Sequence, residues 1–98
     1  MMSAYMLVIA EIDNMEEFRD YAVAAADLIG KFGGEYIVRG AKDAVTLEGD
    51  WPEEKKVVVS KWPSMEAAQE FWNSPEYAEA KKLRLGKAKV VVRLMSGV

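Results

Sequence analysis

The sequence predicts a single α+β domain whose elements follow the order βαββαβ. Four short apolar segments rich in valine, isoleucine and leucine have the composition of strands, and two longer stretches carry apolar residues at helical spacing. Glycine or proline stands at most of the boundaries between these segments. The 98 residues, 51% hydrophobic and 30% charged, are ordinary for one globular domain covering residues 1–98.

The first strand is expected over Ala4–Ile12. Its odd-numbered residues Tyr5, Leu7 and Ile9 are apolar, and so are its even-numbered residues Met6, Val8 and Ala10. Because side chains alternate between the faces of a strand, both faces of this one should be covered. Asn14 is a good N-cap for a following helix. The helix has one apolar stripe, formed by Phe18, Tyr21, Ala22, Ala25, Ile29 and Phe32. Gly33 and Gly34 are expected to end it, since glycine tolerates the left-handed conformation of a helix C-terminus.

The middle of the chain should form a pair of strands joined by a polar loop. The second strand is predicted over Glu35–Arg39 and the third over Lys56–Trp62. Gly40 breaks the second strand, and Ala44–Leu47 is a candidate for its continuation beyond a bend. Residues 48–54 contain Gly49 and Pro52 and are predicted to be a turn region.

The last third of the chain is predicted to hold two helical segments and a final strand. Ser64 should cap the first segment, and Ser74 should cap the second, with Pro75 at its first position. Their apolar sides are formed by Met65, Ala68, Phe71, Trp72, Tyr77, Ala80 and Leu83. Gly86 is expected to end the helical region before a strand over Lys89–Met95.

This order predicts a split βαβ, or ferredoxin-like, antiparallel sheet with both helical regions on one face. The valine-rich strands leave the other face apolar as well, and the chain has no spare element to cover it. We therefore expect a homodimer in which two copies join through their sheet faces. Val58 is the residue that we expect to face the partner, although alternation alone does not fix this choice.

Composition excludes several kinds of chemistry. The chain has neither cysteine nor histidine, so it offers no thiolate nucleophile, no zinc ligand of these types and no Ser-His-Asp triad. We expect no metal and no cofactor. The net charge of −3 argues against nucleic acid and anionic membranes as partners. The RNA-recognition topology has the same element order, but the predicted strand Lys56–Trp62 carries no aromatic residue in its KVVVSK portion.

The N-terminal segment, MMSAYMLVIAEID, has a short apolar core without a preceding Lys or Arg, and acidic residues follow it directly. It is typical of a strand rather than of a signal peptide. No apolar stretch approaches the roughly 20 residues that span a bilayer. We therefore expect a cytoplasmic protein that does not associate with membranes.

Four segments, in this order and spacing, resemble the family called domain of unknown function 1330. They are GGEYIVRG, VTLEGDWP, VVVSKWPSMEAA and SPEYAEAKKLR, and the resemblance runs from Tyr5 to Val92. It implies membership of the dimeric α+β barrel superfamily, in which the sheets of two ferredoxin-like protomers face each other. The chain departs from the family pattern at Met15, at Ala41 and at Trp62, where proline, glycine and phenylalanine are usual.

The resemblance also implies a set of candidate ligand-binding residues, because the family pattern has polar or aromatic residues at these positions. They are Arg39, Glu48, Trp51, Ser74, Tyr77 and Arg84. No catalytic residue follows from it.

Each candidate also has a structural interpretation. Arg39 could hold a ligand carboxylate, or it could form a structural ion pair with Glu48 across the hairpin. Glu48 could be a general base, or its role could be limited to this ion pair. Trp51 could close a pocket or pack on the sheet edge. Ser74 could be an N-cap, Tyr77 could be a core side chain, and Arg84 could be a cation at a helix end.

The sequence predicts a small dimeric protein of unknown function that binds a small molecule between sheet and helices. The first alternative is a cofactor-independent enzyme of the dimeric α+β barrel type, resembling the monooxygenases of that superfamily. The second is a non-catalytic structural or stress-related dimer. A cavity lined by the polar candidates would favour ligand binding, whereas tight filling by Phe18, Phe71 and Trp72 would favour a structural role.

Overall fold

The computed structural model describes residues 3–41, 43–52 and 55–98. Four strands form one antiparallel sheet: β1 (Ala4–Ile12), β2 (Glu35–Arg39), β3 (Lys55–Trp62) and β4 (Ala88–Ser96). Three helices connect them: α1 (Met15–Lys31), α2 (Met65–Trp72) and α3 (Pro75–Lys81), the last continued by a 3₁₀ turn over Lys82–Arg84. The strand order is β2-β3-β1-β4, and every adjacent pair is antiparallel. The predicted α+β, ferredoxin-like fold is confirmed.

Local signals in the sequence account for the helix boundaries. The side chain of Asn14 accepts hydrogen bonds from the backbone of Glu16 and Glu17, so the predicted N-cap of α1 is confirmed. At the other end, Gly33 has a φ of 94°, and the Gly34 amide donates to the Ile29 carbonyl over 2.8 Å. These are the features of a Schellman motif, which satisfies carbonyls that the last helical turn leaves free.

One face of the sheet packs against the helices and forms the core. Trp62 and Phe71 are its largest fully buried side chains, and their ring centroids lie 5.1 Å apart. The Trp62 indole donates to the Ser60 hydroxyl over 2.9 Å, which satisfies the only polar group that the buried tryptophan brings into the core. Ala4 and Ala68, both fully buried, allow the sheet and α2 to approach closely.

The opposite face of the sheet carries no helix, and we call it the open face. Strand pairing places Leu7 beside Val59 and Ile9 beside both Val57 and Val91 at its centre. Charged residues surround this centre, namely Glu11, Glu35, Lys55, Lys61, Lys89 and Arg93. The apolar second face expected from the sequence is therefore present.

Two expectations are corrected by the register and by the backbone. Val58 pairs with Val8 and with Arg39 and lies on the helix side, so its neighbours Val57 and Val59 occupy the open face instead. Alternation in a run of three valines cannot fix which one faces which way, because all three are apolar. Residues 44–47 form no strand, although β2 and β4 each leave one edge of the sheet unpaired. Glu53 and Glu54, in the predicted turn region, lie outside the described residues.

Candidate ligand pocket

A cavity of about 100 Å³ lies between the helix side of the sheet and the helices. Small side chains leave this space open: Ala10 on β1 faces the region where Ala22 and Ala25 of α1 contribute only methyl groups. Its walls are mainly apolar, and the aromatic part of the lining consists of Phe18, Tyr21, Tyr36, Phe71, Trp72 and Tyr77. The buried core around Ser60 and Phe71 closes one end. The site is thus apolar and enclosed over most of its surface.

Two cations mark the other end of the cavity, where the lining is exposed. Arg39, the last residue of β2, pairs with Val58, and Lys56 precedes Val58 by two residues on the same face of β3. Successive residues on one face of a strand are two steps of about 3.3 Å apart, so the two side chains leave the sheet close together. The Arg39 guanidinium carbon lies 4.6 Å from the centre of the Tyr36 ring, a cation–π contact that orients it.

A pair of phenol groups forms the second polar feature. The hydroxyls of Tyr21 and Tyr77 lie 2.8 Å apart, so one of them donates to the other. Both residues line the cavity, and Tyr77 is buried. The α1 and α3 helices bring them together across 56 residues of sequence. Because a hydroxyl both donates and accepts, the pair keeps one O–H donor and free acceptor lone pairs for a third group.

Arg84 stands beside this pair, in the 3₁₀ turn after α3. Its guanidinium carbon lies 5.4 Å from the centre of the Tyr21 ring, and its Nε is buried without a hydrogen-bond partner in the described part of the chain. Burial lowers the pKa of Arg84, but hydrogen bonding and charge interactions with Tyr77 and then Tyr21 outweigh this, and the net shift is upward. Burial, followed by the interaction with Tyr77, raises the pKa of Tyr21 well above its ordinary value. Near neutral pH the cluster therefore holds a protonated Tyr21 and a positive charge.

The six candidate residues fall into different parts of the structure. Arg39 and Tyr77 line the cavity, and Arg84 lies directly behind its tyrosine pair. Glu48 and Trp51 lie in the exposed loop that follows β2, and neither lines the cavity of the protomer. Ser74 is the N-cap of α3: its hydroxyl accepts from the Tyr77 amide over 3.1 Å and donates to the Phe71 carbonyl over 2.8 Å.

The expected ion pair between Arg39 and Glu48 is wrong for the protomer. Within the described ranges, the ion pairs join Lys31 to Glu76, Lys55 to Glu11 and Lys82 to Glu79. Glu48 is exposed in the loop that follows β2, whereas Arg39 lies over the Tyr36 ring.

Sequence reasoning missed four pocket residues: Tyr21, Tyr36, Lys56 and Trp72. Tyr21 and Trp72 were assigned to apolar helix stripes, which their positions justify, but a phenol or indole on such a stripe also brings a polar group inside. Lys56 gave no usable signal, because the sequence does not fix which face of its strand it occupies together with Val58.

The described residues provide neither a metal site nor a membrane span. Among them, His, Cys, Asp and Glu side chains nowhere gather in groups of three or more that could hold a metal ion. No helix in these ranges has both the length and the apolar character needed to cross a membrane.

Fold and pocket together define a ferredoxin-like α+β protein with a small, largely apolar cavity between sheet and helices. The model of the domain of unknown function 1330 (DUF1330) matches residues 3–98, and the chain belongs to this family. The predicted resemblance is confirmed. A comparison with curated proteins gives no match.

Several solved structures share the fold at low sequence identity. A protein of unknown function from Rhodopseudomonas palustris is 20% identical with a TM-score of 0.72, and the match covers 94% of this chain and 81% of that one. SnoaB, a cofactor-independent oxygenase from Streptomyces nogalater, is 10% identical with a TM-score of 0.76 over 100% and 95% of the two chains. A dimeric ferredoxin-like protein of unknown function from Thermobifida fusca is 10% identical with a TM-score of 0.63, covering 97% and 91%. At these identities the likeness shows the fold alone.

Proposed function

We propose that this protein binds a small molecule in the cavity between the sheet and the helices. The observation that carries the proposal is the cavity itself, which combines apolar, aromatic walls with a few polar groups at defined positions. Ligand sites typically have this composition. Phe18, Phe71 and Trp72, which would have filled the space in a purely structural domain, instead form its walls.

The proposal is tested by titrating the isotope-labelled protein with benzamide, a neutral single-ring probe, and following amide and methyl shifts by NMR. We expect shifts confined to pocket residues such as Val8, Val58 and Val92, and their loss in Ala22→Phe, which fills the cavity. Ala78→Phe, the same change at an exposed position of α3, is the matched control and should bind as the wild type does. No saturable shift in a folded wild type would contradict the proposal and favour the non-catalytic structural or stress-related dimer.

We propose further that the functional unit is a homodimer joined through the open faces. Two features support this: the apolar centre formed by Leu7, Ile9, Val57 and Val59, and Val91, which is 67% exposed in the protomer. Apolar patches of this kind are uncommon on monomers and mark interaction sites. The Thermobifida fusca neighbour is a dimer of the same fold.

The loop after β2 provides a second, independent reason for a partner copy. Val45 and Leu47 are 80% and 93% exposed in the protomer, and Trp51 is 44% exposed. In the sequence the same loop, residues 40–54, carries five acidic residues and one lysine, whereas four of the six charged residues around the open face are basic. Apolar and charge complementarity thus favour packing of this loop against the open face of the second copy.

A cytoplasmic location belongs to the same proposal. Residues 4–12 form β1 and pair with both β3 and β4, so this apolar segment belongs to the folded domain. Fractionation of the source cells, with the protein detected by antibody, tests the location.

A second candidate function is cofactor-independent catalysis, and the Tyr21–Tyr77–Arg84 cluster is the observation that favours it. Two hydrogen-bonded phenols next to a guanidinium can stabilise negative charge that develops on a substrate oxygen. SnoaB, a cofactor-independent oxygenase, has the same fold. Turnover of a bound compound that Tyr77→Phe abolishes without weakening binding would support this candidate, whereas binding without turnover would support the first proposal.

A further inference from the structure

We infer that the ligand is a single-ring carboxylate, bound with its ring in the aromatic cavity and its carboxylate at Arg39 and Lys56. This inference rests on the proposed function, because it names the class of molecule that the same cavity takes. It follows from three features: the position of the two cations, the character of the walls and the size of the space.

The two cations stand at the open end of the cavity. Arg39 and Lys56 both line it and are both exposed, and the ion pairs formed within the described ranges involve neither of them. A ligand that enters with its apolar part first leaves its charged group at this end. The carboxylate then stays near water and avoids the large cost of burying a charge. A guanidinium can meet it with two parallel hydrogen bonds, and the lysine adds a second positive charge.

The walls select a flat, apolar body. Phe18, Tyr21, Trp72 and Tyr77 present rings around the space, and offset or edge-to-face packing of rings is favourable beyond the burial of apolar area. A cavity of about 150 Å³ lined by apolar side chains holds benzene in another protein. A space of about 100 Å³ that is open at one end suits one ring whose substituent projects to the mouth.

The Tyr21–Tyr77 pair lines the same cavity as the two cations. It offers an O–H donor and acceptor lone pairs to a ring substituent, such as a hydroxyl. A hydroxylated ring is therefore accepted better than a fully apolar one, without changing the role of the two cations.

The test compares benzoate with its neutral isostere benzamide, by NMR titration at low ionic strength. We expect the wild type to bind benzoate at least about tenfold more tightly, since a hydrogen bond to a charged group is stronger than one between neutral groups. Arg39→Met with Lys56→Met should reduce this preference to about one without changing benzamide affinity. Arg19→Met removes an exposed cation of α1 outside the cavity and should keep the full preference.

Each other outcome overturns the inference in a distinguishable way. Equal binding of the two probes removes the preference for an anion and leaves the small-molecule pocket standing. A preference that survives in the double variant shows that other groups recognise the carboxylate. If neither probe binds to the folded wild type, the proposed function fails and this inference fails with it.

Discussion

Tyr21 is the residue whose chemistry the fold changes most. It stands on an amphipathic helix, where its ring belongs to the apolar stripe, yet its hydroxyl meets that of Tyr77 in a partly buried position. Burial is the main cause of its raised pKa, and the nearby Arg84 only partly opposes it. An ionised Tyr21 would place a negative charge beside a second phenol in a poorly hydrated site, so the folded protein retains the proton.

This raised pKa predicts a loss of stability at alkaline pH. In the unfolded chain, tyrosine titrates near 10. Above that pH the unfolded state releases a proton that the folded state keeps, so the free energy of unfolding falls as pH rises. The stabilisation is fully present below about pH 10 and declines above it. The slope attributable to Tyr21 reaches at most about 1.4 kcal/mol per pH unit.

Urea denaturation of the wild type and of Tyr21→Phe, at half-unit steps from pH 8 upward, measures this slope. The phenylalanine variant should lose less stability per unit above about pH 10. Burial also raises the pKa of Tyr36. Because Tyr36 is present in both proteins, its effect on the pH dependence of the free energy of unfolding cancels in the comparison. Parallel curves for the two proteins would show that Tyr21 titrates alike in the folded and unfolded states.

At the scale of elements, the passage from α1 to β2 depends on one close contact. A Cβ on Gly34 would lie 2.7 Å from the Trp62 ring and 2.8 Å from Ile29. The absence of a side chain at this position lets α1 end directly against the most buried aromatic residue of the sheet. The two glycines thus have different roles. Gly33 ends the helix, because the left-handed φ of this position favours glycine, whereas Gly34 is required by the packing against Trp62.

We expect Gly34→Ala to lower the free energy of unfolding by about 1–3 kcal/mol, since it overpacks a rigid ring. Gly30→Ala is the matched control, because a Cβ there meets nothing within 4 Å and the residue lies inside α1. It should raise the free energy of unfolding by roughly 0.5–1 kcal/mol through helix propensity. Chemical denaturation measures both, and equal effects of the two alanines would refute the contact argument.

At the scale of the whole molecule, the sheet has two apolar faces and the protomer covers only one. The helices bury the face that contains Met6 and Trp62, whereas Leu7, Ile9, Val57 and Val59 stay on the open face. A chain of 98 residues buries a modest share of its surface, so an additional apolar interface contributes substantially to its stability.

Val59→Asp should therefore dissociate the proposed dimer. A carboxylate at the centre of the open face would be buried without a partner in the interface, which costs several kcal/mol. The dissociation constant should rise by at least about a hundredfold, equivalent to about 2.7 kcal/mol. Sedimentation velocity over a range of concentrations measures it.

Val23→Asp places the same change on an exposed position of α1 and should leave the dissociation constant of the dimer unchanged. A wild type that sediments as a monomer at all accessible concentrations would refute the dimer. A Val59→Asp variant that remains fully dimeric would refute the proposed interface.

The elements of the fold were predictable because each depends on neighbours in the sequence. The caps at Asn14, Ser64 and Ser74 and the glycine stop at Gly33 are formed within a few residues, and the structure confirms them. The order βαββαβ then left few ways to arrange the sheet. The candidate site was less predictable: of the six candidate residues, Arg39 and Tyr77 line the cavity, and the expected Arg39–Glu48 ion pair does not form in the protomer.

By itself, the sequence determined the fold class, the ends of most helices and strands, the family and the absence of cysteine and histidine chemistry. Only the tertiary structure decided which valine of Val57–Val59 faces the helices, because register joins residues that are far apart in the chain. It also brought Tyr21 to Tyr77 and left a cavity beside them. A cavity is space that facing side chains fail to fill, and its volume depends on the packing of α1 against the sheet rather than on any local pattern.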